Sequence, residues 1–330
     1  MLGKKSPVKL SADAKPKLIV VIDTEEEFDW NAPADRTATG VSAMDSIYRV
    51  QDIFDSYGIT PCYVIDYPVV SQEEGNRALK QIHKDGRCEI GAHLHPWVSP
   101  PLKEEMTPKN TFPGNLPLEL EREKLLILRN KIAEEFEFQP TIYKAGRYGV
   151  GANTAAILDD LGFEIDLSLC PPVDYSSALG PDFSQCHAQP FWFGLDDNLL
   201  EIPVSGAFVG WGGGLMNPLY NFAMHFKKFK LPGIFSRLSL VDRLMLSPEG
   251  FTSKDHIKLT DFLYKQGVRT FTWSFHSPTV VPGHTSYVQS EAQLKEFLAT
   301  FNTYFDYFFN ELGGEASTPT QLRDHLRGLQ

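Results

Sequence analysis

Two histidines one residue apart, in the segment CEIGAHLHPW, are the residues of this chain whose spacing points most directly to chemistry. Side chains alternate between the faces of a β-strand, so His93 and His95 are expected to point the same way. Two imidazoles on one face make half of a site for a divalent metal, above all Zn²⁺, which binds histidine nitrogen well. An apolar run leads into the pair and Pro96 ends it. In VVIDTEEEFDW, Asp23 closes another apolar run, where an unpartnered carboxylate would be costly. Glu25 falls on the same side and can supply a third ligand, with Glu26 as the alternative and Glu27 on a solvated turn. A catalytic zinc site needs three protein ligands and an open position for water. Asp23 is then the remaining carboxylate, placed to act as general base.

Two further segments supply complementary groups. Along FTWSFHSPTVVPGHTSY, Thr272, Ser274 and His276 share one face of a strand ended by Pro278. A protonated His276 can serve as general acid to a leaving amine, and His284 in the following loop reads as a bystander. In YKAGRYG, Arg147 has the planar fork that would hold the Asp23 carboxylate in one orientation and keep it ionised. Lys144 is the other candidate for that task.

These groups lie far apart in the chain, and the elements that carry them say how they could meet. A helical stretch ending in Gly and followed at once by an apolar run recurs at 55–60, 83–90, 159–165 and 264–271. Glycine suits the left-handed residue after a helix, so each is read as a helix-to-strand junction. The pattern implies a parallel sheet covered by helices. Apolar runs at 17–23, 59–66, 88–95, 141–147, 163–169, 199–205 and 269–277 make about seven parallel strands. The fold class expected is α/β, a distorted (β/α) barrel, in which the first and last strands lie side by side. Active sites of such barrels sit at the strands' C-terminal ends. Asp23, Glu25, His93, His95, Lys144, Arg147, Asp166, Glu201 and His276 all fall there, with Asp166 or Glu201 the candidate to tune His276.

The expected organisation is one catalytic domain over 16–313, between a flexible N-terminus at 1–15 and a C-terminal tail at 314–330. Residues 206–252 break the strand–helix rhythm and read as an insertion, a possible lid or substrate wall. At 330 residues, with 42% hydrophobic and 22% charged side chains, the chain can bury a full core, so wholesale disorder is excluded. A net charge of −11 argues against nucleic acid or an anionic membrane as the main partner. Cys62, Cys88, Cys170 and Cys186 form no C-x-x-C pair, which fits reduced thiols. No apolar run approaches the roughly 18 residues of a membrane span, and the lysine-bearing start lacks the core of a signal peptide. A cytoplasmic location is the expectation.

Taken together and in order, the motifs resemble the polysaccharide deacetylase superfamily (carbohydrate esterase family four, NodB-like) over about residues 17–290. The combination of IDTEEEFDW, GAHLHPW, AGRYG, the stretch at 162–168 and FHSPTVVPG is most similar to the WalW-type branch associated with lipopolysaccharide biosynthesis. The resemblance implies Asp23 as base, Glu25, His93 and His95 as metal ligands, and His276 as the catalytic histidine. Three departures stand out. The family's adjacent acids are here Asp-Thr-Glu, its histidine spacing is wider, and the proline turn of its third motif is here Gly-Arg. The implied activity is metal-dependent hydrolysis, with Zn²⁺ as the expected divalent metal, of an N-acetyl or similar acyl amide. The implied substrate is a carbohydrate, an acetylated amino sugar of a bacterial surface polysaccharide or its precursor. Tyr148 and Trp211 are the expected sugar-facing aromatics. The competing readings are an amidohydrolase-type metal hydrolase acting on a small amide or phosphoester, and a non-catalytic glycan-binding barrel.

Overall fold

The apolar runs become strands in a computed structural model that describes residues 2–8, 10–11, 13–210 and 241–329. In chain order the strands are β1 (Ser6–Pro7), β2 (Lys17–Thr24), β3 (Cys62–Ile65), β4 (Glu89–Leu94), β5 (Ile142–Ala145) and β6 (Ile165–Asp166). They continue as β7 (Phe191–Phe193), β8 (Leu199–Glu201), β9 (Gly206–Val209), β10 (Asp242–Met245), β11 (Thr270–His276) and β12 (Glu315–Ala316). The main sheet runs β1-β7-β8-β6-β5-β4-β3-β2-β11, with β12 beside β2. From β8 to β11 every neighbouring pair in that order is parallel, and these strands are the seven expected from the sequence. β7 turns back antiparallel on β8, and β1 adds to its edge.

The ladder does not run directly from β8 to β11. Irregular backbone bridges the gap instead: Leu246 N–H donates to Ser205 O (2.8 Å) and Ser274 N–H to Leu246 O (3.1 Å). Thr272 N–H donates to Ser205 Oγ (2.9 Å). This interruption is the distortion of the (β/α) barrel. At the four helix-to-strand junctions, Gly58, Gly86, Gly162 and Gly267 all take positive φ (65°, 71°, 71° and 89°), a conformation that other residues adopt only with strain.

Alternation along the strands sorts the core into two layers. One face meets the surrounding helices. Phe271, Trp273 and Phe275 of β11 pack there against Phe301, Tyr304 and Phe305 of the helix Glu291–Asp306, with Trp273 stacked on Tyr304 at 4.7 Å. The other face turns inward, where Ile19, Val21, Cys62, Val64, Ile142, Ile165 and Leu200 form a separate cluster.

Residues 314–330, read from the sequence as a loose tail, belong to this inner cluster. β12 pairs with the start of β2, and the helix Pro319–Arg327 is closed by a capping box on Thr318. Leu322 and Leu326 are buried among the inward-facing residues, and Thr318 Oγ1 donates to Glu89 at 2.6 Å. The expectation failed because the apolar surface this short helix covers belongs to strands remote in sequence. Within 1–15, Ser6 and Pro7 likewise pair with β7. Of the 206–252 insertion, β9 and β10 form an antiparallel pair, and residues 211–240 lie outside the described residues. Cys62, Cys88, Cys170 and Cys186 are free thiols, and no described helix is long and apolar enough to cross a membrane.

Candidate active site

Along each inward-facing row, apolar residues give way to polar ones near the strand's C-terminal end. β2 reads Ile19, Val21, Asp23; β4 reads Gly91, His93; β5 reads Ile142, Lys144; β11 reads Thr272, Ser274, His276. Parallel register sets the neighbours, His276 beside Asp23 and His93 beside Lys144. Space is tight below them: a Cβ on Gly91 would lie 2.9 Å from Val64 Cγ1, so glycine lets the barrel close beneath the histidines.

Glu25, His93 and His95 are all buried and converge on one point. Glu25 Oε2 lies 3.5 Å from His93 Nε2 and 3.4 Å from His95 Nε2. The other ring nitrogens are engaged, His93 Nδ1 with Lys144 O (3.0 Å) and His95 Nδ1 with Glu26 Oε2 (2.8 Å). Partners of this kind fix the ring orientation and leave Nε2 with its lone pair. Burial pushes the imidazole pKa values down, His93 well below 6.5 and His95 to about 4, so both are neutral and ready to ligate. Burial, followed by the charges of Glu26 and Asp23, pushes Glu25 well above its ordinary carboxyl value. Its Oε1 is buried without a hydrogen-bond partner. A buried carboxylate with an orphaned oxygen beside two neutral imidazoles is the donor set a divalent cation would satisfy.

Glu26 has a different place. Its carboxylate accepts from His95 Nδ1 and from Trp97 Nε1 (2.7 Å), and its own N–H donates to Asp66 Oδ2 (2.9 Å). Asp66 Oδ1 in turn accepts from Val69 N–H. Glu26, Asp66 and His95 also cluster within ligand distance, but those oxygens are occupied, so the open set is the one containing Glu25.

Asp23 is held by Lys144, whose Nζ donates to Oδ1 at 2.5 Å and to Ser274 Oγ at 3.1 Å. Burial alone would raise the Asp23 pKa, but Lys144, with His93 and His276, holds it below 3.8. Arg147, expected in this role, points elsewhere. It donates to Thr111 Oγ1 and lies over the Phe112 ring at 4.4 Å, because the backbone turns into the left-handed region at Arg147 and Tyr148 (φ 54° and 59°). Lys144, still on the strand and with the inward parity, reaches the carboxylate instead.

His276 Nε2 is 3.7 Å from Asp23 Oδ2, and its Nδ1 is 2.6 Å from Glu249 Oε2. Glu249 Oε1 accepts from His276 N–H (3.1 Å) and from Thr279 Oγ1 (2.5 Å). Burial lowers the imidazole pKa, yet Glu249 more than offsets it and the net value lies above 6.5. The expected tuners, Asp166 and Glu201, do not face this ring. They stand opposite each other on β6 and β8, where Asp166 accepts from Ser168 Oγ and Glu201 accepts from Leu169 N–H. Glu249 escaped sequence reading because it lies in the irregular turn after β10, inside the insertion, with no periodic signal to place it.

These groups line a cavity of about 570 Å³. Tyr148 lines it too, as do Trp30, Trp97, Tyr175 and Tyr287, whereas Trp211 lies outside the described residues. Trp30, also missed from the sequence, packs edge-on against His276 with ring centroids 4.4 Å apart. His284 sits 3.3 Å from Glu27 and does not line the cavity.

No family model matches the sequence, and no curated protein does. Solved structures share the fold. A Mycobacterium smegmatis protein described as a polysaccharide deacetylase superposes with a TM-score of 0.57 at 17% identity, covering 100% of this chain and 96% of its own. One from Pseudomonas aeruginosa PAO1, with the same description, gives 0.55 at 13%, over 94% and 91%. The Puue allantoinase gives 0.53 at 14%, over 94% and 90%. At these identities the likeness establishes the fold, a (β/α) barrel carried by polysaccharide deacetylase structures.

Proposed function

We propose that the protein is a metal-dependent carbohydrate deacetylase that hydrolyses the N-acetyl, or similar acyl, amide of an amino sugar from a bacterial surface polysaccharide or its precursor. One observation carries the reading: a carboxylate base with its own cation, an open three-ligand donor set and a histidine with its own carboxylate share one cavity at the strands' C-terminal ends. Metal-assisted amide hydrolysis uses those three components, a base, a metal site and an acid for the leaving amine. The resemblance of the sequence motifs to polysaccharide deacetylases, with the shared fold, supports an amino-sugar amide as the substrate.

Glu25, His93 and His95 would hold the ion, most simply Zn²⁺. A divalent ion supplies Lewis-acid polarisation of the acyl oxygen and makes water more acidic. Asp23 accepts the proton of the attacking water, and Lys144 keeps that carboxylate ionised and oriented towards the cavity. His276 donates a proton from Nε2 to the departing amine, while Glu249 holds the imidazolium from the other side. Trp30 and Tyr148, partly exposed and lining the cavity, offer aromatic surface to a sugar ring.

The allantoinase fold likeness favours, as a second reading, a small cyclic or linear amide as substrate with the same residues in the same roles. The experiment is metal analysis of the purified protein beside a His93→Ala/His95→Ala double variant, followed by acetate release from N-acetylated amino sugars. About one ion per chain, lost in a folded variant, together with acetate release, is the expected result. Equal metal in both proteins would overturn the ligand assignment, and release from small amides alone would favour the second reading.

A further inference from the structure

We propose that Arg147 binds an anionic substituent, a carboxylate or a phosphate, carried by the acylated amino-sugar substrate. The inference rests on the deacetylase reading of the site and adds the charge of the substrate to it. Every acidic side chain lining the cavity already has a task. Asp23 pairs with Lys144 at 2.5 Å, Glu249 with His276 at 2.6 Å, and Glu25 faces His93 and His95. None of them reaches Arg147, and among the described residues no carboxylate lies within 4.0 Å of its guanidinium. One hydrogen bond, to Thr111 Oγ1, leaves most of its five donors without a partner among the described residues.

The placement of this side chain is costly and specific. Arg147 and Tyr148 are consecutive non-glycine residues with positive φ, a conformation that side-chain-bearing residues rarely adopt. Strain of this kind persists where the surroundings enforce it and collects at functional sites. The preceding Gly146 packs directly on the His95 ring, which anchors the turn beside the donor set. Phe112 lies under the guanidinium at 4.4 Å and holds its plane. The fork is therefore presented to the cavity with its hydrogen-bonding edge available, the geometry in which arginine reads carboxylate and phosphate bidentately. Arg147 is exposed and lines the cavity, so an anion bound there can replace the water on its donors.

The test is calorimetric titration of the zinc-supplemented, full-length protein with N-acetylglucosamine, its 1-phosphate and N-acetylmuramic acid, with acetate release followed in parallel. The same titrations use Arg147→Asn, because asparagine tolerates positive φ and so preserves the turn. The expected result is binding of at least one acidic sugar about tenfold or more tighter than the neutral one, with the difference collapsing in the variant. Which acidic sugar gains distinguishes carboxylate from phosphate. Equal affinities, a preference that survives the substitution, or no binding of either acidic sugar would overturn the proposal. An acid preference lost in Arg147→Asn but without acetate release would uphold the anion site and count against the deacetylase reading alone.

Discussion

Asp23 and His276 approach within 3.7 Å, yet each is charged by a different neighbour, and in the proposed mechanism that separation would give the site two opposite proton tasks. Lys144 holds the Asp23 pKa below 3.8 against the effect of burial, so the base is available over the whole neutral range. Glu249 lifts the His276 pKa above 6.5, again against burial, so the acid form persists to higher pH than a free imidazole would allow. On the proposed mechanism, turnover is expected to fall on the acid side as Asp23 takes a proton and on the alkaline side as His276 loses one. Replacing Glu249 with Gln keeps a hydrogen-bonding partner for Nδ1 but removes the charge. The alkaline limb of kcat/KM is then expected to move to lower pH, with activity at pH 8 falling about tenfold for each pKa unit lost. A pH–rate profile of the variant checks this, and an unmoved limb would remove His276 from the acid role.

At the scale of elements, the β6–β8 pairing contains a strut that the chemistry does not use. Asp166 and Glu201 are fully buried and directly opposite in register, and among the described residues neither Asp166 Oδ2 nor Glu201 Oε2 receives a donor from elsewhere. Burial pushes Asp166 up to about 6 and, with the Asp166 charge beside it, Glu201 well above its ordinary value, so the pair retains a proton at neutral pH. A carboxyl group whose folded pKa is raised binds its proton more tightly than the unfolded chain does. Stability is therefore expected to decline as pH climbs from the unfolded carboxyl range through the raised folded values. Glu201→Gln supplies a permanent N–H to Asp166 and should flatten that decline. Glu201→Ala leaves Asp166 and Leu169 N–H without their partner and should cost about 1–3 kcal/mol. Denaturant midpoints at pH 6 and pH 9 compare the three proteins, and identical pH dependence would show that no proton is shared.

For the whole molecule, the C-terminal helix is part of the barrel. Leu322 and Leu326 are almost completely buried against inward-facing residues of the central strands, so the chain end completes a core begun by β2. Leu326→Ala is expected to destabilise the protein by about 2–5 kcal/mol. Equilibrium denaturation measures it, and the loss should appear in one cooperative transition with the rest of the barrel. A separate early transition would mean that residues 314–330 melt independently.

Alternation and spacing in the sequence determined the parallel strands, their helix junctions and the convergence of Asp23, Glu25, His93, His95 and His276 on strand ends, because periodicity and chain punctuation are local properties. The sequence left Lys144 and Arg147 both open as the partner of Asp23 and favoured Arg147, because the left-handed turn that swings Arg147 away is not written in any local pattern. Only the tertiary structure decided what stands opposite what. It set Glu249 rather than Asp166 or Glu201 on His276, and Glu26 behind His95 rather than beside Glu25. It also seated residues 314–330 against the inner core. Those pairings join segments far apart in the chain through irregular backbone, and they follow from how the barrel closes across the gap between β8 and β11.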